Sequence, residues 1–390
     1  MANTARNGQT WHAMMADPAH DEMARQMFVQ SMFKTVEDDL VPATRKLWTA
    51  SAEPRFKKAK GRAAQDANEV RKALMQEPYV QTWSSIPRTL KEMQYDAVGP
   101  MVERQLPALI DRARALRDSN RKLGSLTLHP DVAVPRYMAE VDIHAKPGSF
   151  HTDLTEDDVF AGAEFDRTLY MIVGGGFGAE CDDMGAALSD WVQKAWPGVK
   201  PRRILDMGCT VGHSTLPWAR LYPDAEVHAI DVAAPCLRFG HARAEALGVP
   251  VHFIQDDAEH TRYPDGHFDI VVSHILMHEL STKALRNIFR ECHRLLAPGG
   301  VMAHMDGPQY RDIELIEQFP HDWDVHYNAE PFITTLHKMD LTRESVAAGF
   351  APAKVREAYV PTLVSMAKDD DPRRGGGRAG GERYVVAAQK

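Results

Sequence analysis

Residues 204–215, Ile-Leu-Asp-Met-Gly-Cys-Thr-Val-Gly-His-Ser-Thr, read as a buried strand that ends in an acid and passes through a glycine turn into a helix. A strand-turn-helix unit of this kind frames a nucleotide-sized cofactor site at the carboxyl end of the strand. Four further segments follow, each one strand-helix unit on: 227–231, 253–258, 268–273 and 295–300. The apolar runs and the helical spacing between them predict strands near 202–207, 226–231, 250–255, 268–273 and 300–306. Helices are predicted near 212–221, 234–247 and 282–297. This alternation is that of a parallel sheet with crossover helices.

The turn itself favours one ligand class. Asp206 stands two residues before Gly208, and an acid there repels the pyrophosphate of a dinucleotide but suits a cationic ligand. Gly208 and Gly212 are spaced Gly-x-x-x-Gly, unlike the Gly-x-Gly-x-x-Gly of dinucleotide folds. Asp231, 19 residues beyond Gly212, ends the next strand, where a carboxylate can accept from both hydroxyls of a ribose. Either acid alone is also a plausible helix cap.

Taken in order, these segments resemble the class I S-adenosylmethionine-dependent methyltransferases over roughly residues 168–390. The resemblance implies a Rossmann-like doubly wound α/β sheet of seven strands with the last one antiparallel. It implies S-adenosyl-L-methionine as cofactor and S-adenosyl-L-homocysteine as product. The cofactor-binding positions it implies are Tyr170, Asp206, Gly208, Cys209, Gly212, Asp231, Val232, Asp257, Ala258 and Ser273. Val232 is expected against the adenine, and Asp257 with the Ala258 amide at the adenine edge. Thr210 departs from the family, which usually has glycine there.

Methyl transfer from a sulfonium requires an aligned nucleophile, relieved of its proton where it has one. His274 and His278 follow the fourth strand of the motif series, at the sheet's ligand edge. His278-Glu279-Leu280-Ser281 resembles the His-Asp-Trp-Ser stretch of small-molecule O-methyltransferases, whose histidine is the general base. His278 is therefore the first catalytic candidate, although a capping or packing histidine fits the same place. His274 is a further candidate, as is Asp306 at the end of the fifth strand; a turn residue before Gly307-Pro308 explains Asp306 equally well. A metal site on His274 and His278 lacks an evident third ligand, so none is expected. His144 and His151 flank a Pro147-Gly148 turn and are candidates to line a lid.

No Asn/Asp-Pro-Pro-Tyr follows the fourth strand and no Pro-Cys nucleophile is present, which disfavours nucleic acid or protein amide substrates. A net charge of −8 argues against a duplex nucleic-acid surface. The expected partner is a small-molecule acceptor, methylated on oxygen by preference, with nitrogen, sulfur or carbon open. A catalytically silent binder of the cofactor is the rival reading. Four cysteines without metal-type spacing, no secretory pattern and no membrane-length apolar run suggest the cytoplasm.

Residues 1–165 are expected to form a mainly helical region, a substrate cover or homodimer surface, with Pro42, Pro54, Pro78, Pro87 and Pro100 dividing it into short helices. The methyltransferase-like domain is expected over 166–390, with an insertion at 309–341 and a flexible loop at 366–382.

Overall fold

The computed structural model describes residues 4–6, 8–362 and 381–390. The loop expected at 366–382 lies outside the described residues except for its last two positions. Near the N-terminus, β1 (Thr4–Arg6) and β2 (Gln9–Trp11) form a small hairpin.

The main sheet contains β3 (Ser125–Thr127), β4 (Arg203–Met207), β5 (Glu226–Asp231), β6 (His252–Gln255), β7 (Phe268–His274), β8 (Leu296–Asp306), β9 (Val355–Pro361) and β10 (Glu382–Gln389). Their order across the sheet is β3-β6-β5-β4-β7-β8-β10-β9. β10 runs antiparallel to both of its neighbours, β8 and β9, and the other pairs of this sheet are parallel. The seven expected strands are joined by an eighth, β3, which pairs with β6 at the edge. Central strands are buried on both faces, as β4 and β7 show, which explains their continuous apolar runs.

The N-terminal helices differ from expectation in length. A single 40-residue helix, Pro78–Arg117, carries Pro87, Pro100 and Pro107 within it. Each such proline removes one backbone bond and strains the turn before it, yet the helix is held by a buried stripe including Val98, Val102, Leu109 and Ile110. From His20 to Lys60 the chain also stays helical past two prolines. Pro42 and Pro54 each follow a wide five-residue turn, Val36–Leu40 and Trp48–Ala52, in which Val41 N–H donates to Val36 O and Glu53 N–H to Trp48 O. Widening the turn makes room where the ring would otherwise strike the preceding carbonyl.

The insertion packs on these helices rather than projecting alone. Phe319 and Trp323 from it share a core with Trp48, Val80 and Trp83. Trp323 Nε1 donates to Ser84 Oγ at 2.7 Å, and Arg71 pairs with Asp322 at 2.6 Å. A second core joins Leu109 and Ile110 of the long helix to Cys236, Phe239 and Val211 of the α/β part. The helix Phe160–Val173 runs across the junction of the two regions. No helix among the described residues is long and apolar enough to cross a membrane.

Candidate active site

The order β5-β4-β7-β8 sets four parallel strands side by side, so their carboxyl ends share one edge. That edge brings together Asp231, Asp206, His274 and Asp306, with His278 in the turn following β7. The turn after β4 is closed by Gly208 N–H and Cys209 N–H donating to Ile230 O at 2.8 and 3.0 Å. Gly208 (φ +69°) and Gly212 (φ +79°) are left-handed, and a Cβ would lie 2.6 Å from Leu276 Cδ1 at the first and 2.9 Å from Phe253 Cζ at the second. Thr210 is left-handed too, at φ +50°. This conformation is costly for a β-branched residue. The Thr210 amide makes use of it by donating to Asp231 Oδ2 at 2.9 Å, while Ala233 N–H donates to Oδ1 at 2.9 Å. Burial raises the Asp231 carboxyl above its ordinary value, and these amides counter that.

Asp206 is buried and accepts from Thr215 Oγ1 at 2.5 Å. Its other oxygen faces His274 Nδ1 at 3.3 Å, and Trp218 Nε1 donates to His274 Nε2 at 3.3 Å. Indole is only a donor, so Nε2 must accept and Nδ1 carries the proton. His274 is thus a positioning residue for Asp206.

His278 takes a different set of partners. Its Nδ1 lies 2.8 Å from Asp306 Oδ1, and its backbone N–H donates to Oδ2 at 3.2 Å. Its Nε2 faces Glu279 Oε1 at 3.2 Å. From the other side His144 Nε2 approaches the same Glu279 oxygen at 3.1 Å, and His144 Nδ1 lies 2.9 Å from Glu330 Oε1. Burial alone lowers both imidazoles. At His278, Asp306 and Glu279 outweigh it and hold the ring well above its usual value. At His144, Glu330 and Glu279 push it to about 9. The carboxyls of Glu279, Asp306 and Glu330 are desolvated, which raises them, but the imidazoles bring each below its ordinary value.

The remaining sequence candidates are scattered around this edge. Val232 is buried, and its carbonyl accepts from Gln255 Nε2 at 3.1 Å. Asp257 Oδ1 accepts from Glu259 N–H at 2.9 Å, beside a half-buried Ala258. Cys209 is buried, and desolvation raises its thiol far above the usual value. Tyr170 packs its hydroxyl end against Gly8 and Gly175. Ser273 is buried, its hydroxyl 2.7 Å from His304 Nδ1.

Three features escaped the sequence reading. Glu330 sits in the insertion, 52 residues past His278, with no motif around it. His144 was singled out only as a lid residue. Asp166 collects His213 Nε2 at 2.7 Å, Arg243 Nε at 3.1 Å and His12 Nε2 at 3.2 Å, all buried. Such convergence of residues far apart in sequence leaves no spacing signal. A groove of about 390 Å³, lined by Ser125, His228, His252 and Tyr263 among others, lies across β3, β5 and β6.

The geometry fits adenosylmethionine: two acids at adjacent strand ends, beside a tight glycine turn, suit a cationic, ribose-bearing ligand. The sequence profile described as a methyltransferase domain matches residues 204–300. Among curated relatives, the demethylmenaquinone methyltransferase of Thermus thermophilus is 35% identical over 108 residues, 28% of this chain and 48% of its own length. The malonyl-[acyl-carrier protein] O-methyltransferase of Halorhodospira halophila is 37% identical over 112 residues, 28% of this chain and 37% of its own. The chain thus spans less than half the length of these two relatives. A solved structure of Haemonchus contortus phosphoethanolamine N-methyltransferase 2 with S-adenosyl-L-methionine aligns at TM-score 0.41 and 16% identity, covering 58% of this chain and 59% of that one. Residues 204–300 thus carry a methyltransferase domain of the class I, S-adenosylmethionine-dependent type.

Proposed function

We propose that the protein transfers a methyl group to an oxygen of a small-molecule acceptor. The observation that carries this reading is the placement of His278, held by Asp306, on the strand edge that also bears Asp206 and Asp231. The cofactor supplies an electrophilic methyl group on a sulfonium. Asp231 is placed to hold its ribose, and the Gly208–Gly212 turn to admit its methionine end. The helical region and the insertion, packed on one another, bring His144 and Glu330 over the edge and narrow the access of water. A bulky polymer fits such a covered edge poorly.

A lone histidine base needs an Nε2 that faces the acceptor, whereas this one faces Glu279. The proton step therefore belongs to the whole cluster around His278. The test is release of S-adenosylhomocysteine when the full chain is given adenosylmethionine with panels of phenols, enols, carboxylates, amines and thiols. Turnover confined to oxygen acceptors supports the reading. Turnover with amines or thiols alone overturns it.

A further inference from the structure

The histidine-carboxylate cluster has the form of a metal site. One donor atom from each of His144, His278 and Glu279 lies within 4.8 Å of the other two. The contacts of His144 Nε2 and His278 Nε2 with Glu279 Oε1, 3.1 and 3.2 Å, match the spacing of donors on one ion, roughly 3.0–3.4 Å for bonds of about 2.0–2.1 Å. Each ring has its other nitrogen on a carboxylate: Asp306 at His278 and Glu330 at His144. A carboxylate that accepts from Nδ1–H fixes the tautomer with the Nε2 lone pair free, which is how metal-bound histidines are oriented. Once an ion displaces the Nε2 protons, both rings turn that lone pair toward the same Glu279 oxygen.

Glu279 Oε2 is buried and makes no hydrogen bond. A desolvated carboxylate oxygen without a donor is expensive unless something charged satisfies it. The backbone bears a matching signature. His144 (φ 57°) and Ala145 (φ 53°) are left-handed, as are Ile275 (φ 55°) just before the His278 turn and Ala329 (φ 53°) next to Glu330. Strain of that kind persists where the surrounding structure demands a particular side-chain placement.

We propose that His144, His278 and Glu279 bind one divalent transition-metal ion, zinc or iron(II), with Asp306 and Glu330 orienting the two histidines. Two imidazoles and one carboxylate suit these ions, and three protein ligands leave positions open for an exogenous oxygen. An acceptor hydroxyl taken into an open position has its proton made more acidic by the ion. This inference deepens the proposed oxygen methylation and rests on it only for the identity of that ligand; with the ion bound, His278 is a ligand and not the base. The three ligands come from the cover and the sheet, so the ion also ties the two together.

The test is metal binding by the full chain, stripped with a chelator and titrated separately with Zn²⁺, with Fe²⁺ under anaerobic conditions, and with Co²⁺ as a visible-spectrum probe. One equivalent should bind, with cobalt showing ligand-field bands of a low-coordinate nitrogen and oxygen site. His144→Ala and Glu279→Gln should weaken binding at least 100-fold, and Glu330→Gln about 10–100-fold. Circular dichroism establishes that each variant is folded, and Glu330→Gln, outside the ligand set, stands in where a ligand variant does not fold. Absence of stoichiometric binding by the folded wild-type chain overturns the site, as does binding that folded His144→Ala leaves unchanged. If metal binds but only amines or thiols are methylated, the oxygen reading fails and the site stands. If oxygen acceptors turn over at full rate in metal-free protein, the ion's part in acidifying the hydroxyl is overturned and the oxygen reading stands.

Discussion

At the scale of single residues, Asp231 and Thr210 shape the turn after β4, the proposed cofactor site. Asp231 already accepts two backbone amides and keeps lone pairs for ribose hydroxyls, each hydrogen bond to a charged acceptor being worth about 1.5–3 kcal/mol. Asp231→Ala should weaken adenosylmethionine binding at least tenfold by titration calorimetry, and an unchanged affinity would remove this acid from the site. Thr210 departs from the glycine that the family resemblance leads one to expect, and it stands at φ +50°. Thr210→Gly relieves strain of about 1–2 kcal/mol at an entropic cost of about 0.5–1 kcal/mol. Its thermal midpoint should rise slightly, and a clear fall would show that the threonine side chain contributes more than its backbone costs. His304 sets a pH dependence. Burial, with His274 adding to it, keeps its ring down at about 3. The unfolded chain takes up a proton below about pH 6.5 that the folded one refuses until near that lower value, so stability falls as pH drops through this window. The slope from one such group is at most about 1.4 kcal/mol per pH unit. Urea unfolding between pH 6 and 4 should show this, and His304→Asn should reduce the slope by one proton's share; an identical slope in the variant would assign it elsewhere.

At the scale of elements, the edge strand β3 is the part most dependent on one small residue. A Cβ on Gly124 would lie 2.0 Å from Val251 O, a backbone atom that cannot turn aside. Gly124→Ala should detach β3 from β6 while the central strands persist. Amide exchange should speed up at 125–127 and 252–254 and stay slow in β4 and β7; unchanged exchange at the edge would mean that the backbone can shift to accept the methyl. The long helix makes the complementary point. Its three internal prolines read locally as breaks, and it stays continuous because one side is buried along most of its length. Helical stability in a folded chain comes chiefly from such packing rather than from local preference.

At the scale of the whole molecule, a buried Asp166 links three distant parts: His12 near the N-terminus, His213 in the cofactor turn and Arg243 in the helix Ala234–Leu247. Burial would raise its carboxyl, but His12 and Arg243 bring it well below its ordinary value. Its stabilisation is present at neutral pH and is lost as pH falls below the unfolded carboxylate's range near 3.9. Removing one partner of a buried charge network costs about 3–5 kcal/mol. Asp166→Asn should lower the melting temperature by several degrees and expose the N-terminal segment to protease; a variant as stable and as resistant as wild type would show that the link is dispensable. While the antiparallel last strand was implied only by the family resemblance, the sequence by itself determined the α/β order, the Gly208–Gly212 turn and the two acids at strand ends. These follow from local rules: apolar runs of strand length, glycine where φ is positive, and spacing of one strand-helix unit. It also pointed to His278 and Asp306, though as separate candidates. Only the tertiary structure paired them, turned His274 onto Asp206, carried Glu330 in from the insertion and His144 in from the cover, and kept the helix whole across its prolines. Those outcomes depend on contacts between residues from 28 to 186 positions apart, and a side chain's partner at such a distance is set by packing, which leaves no periodic trace in the chain.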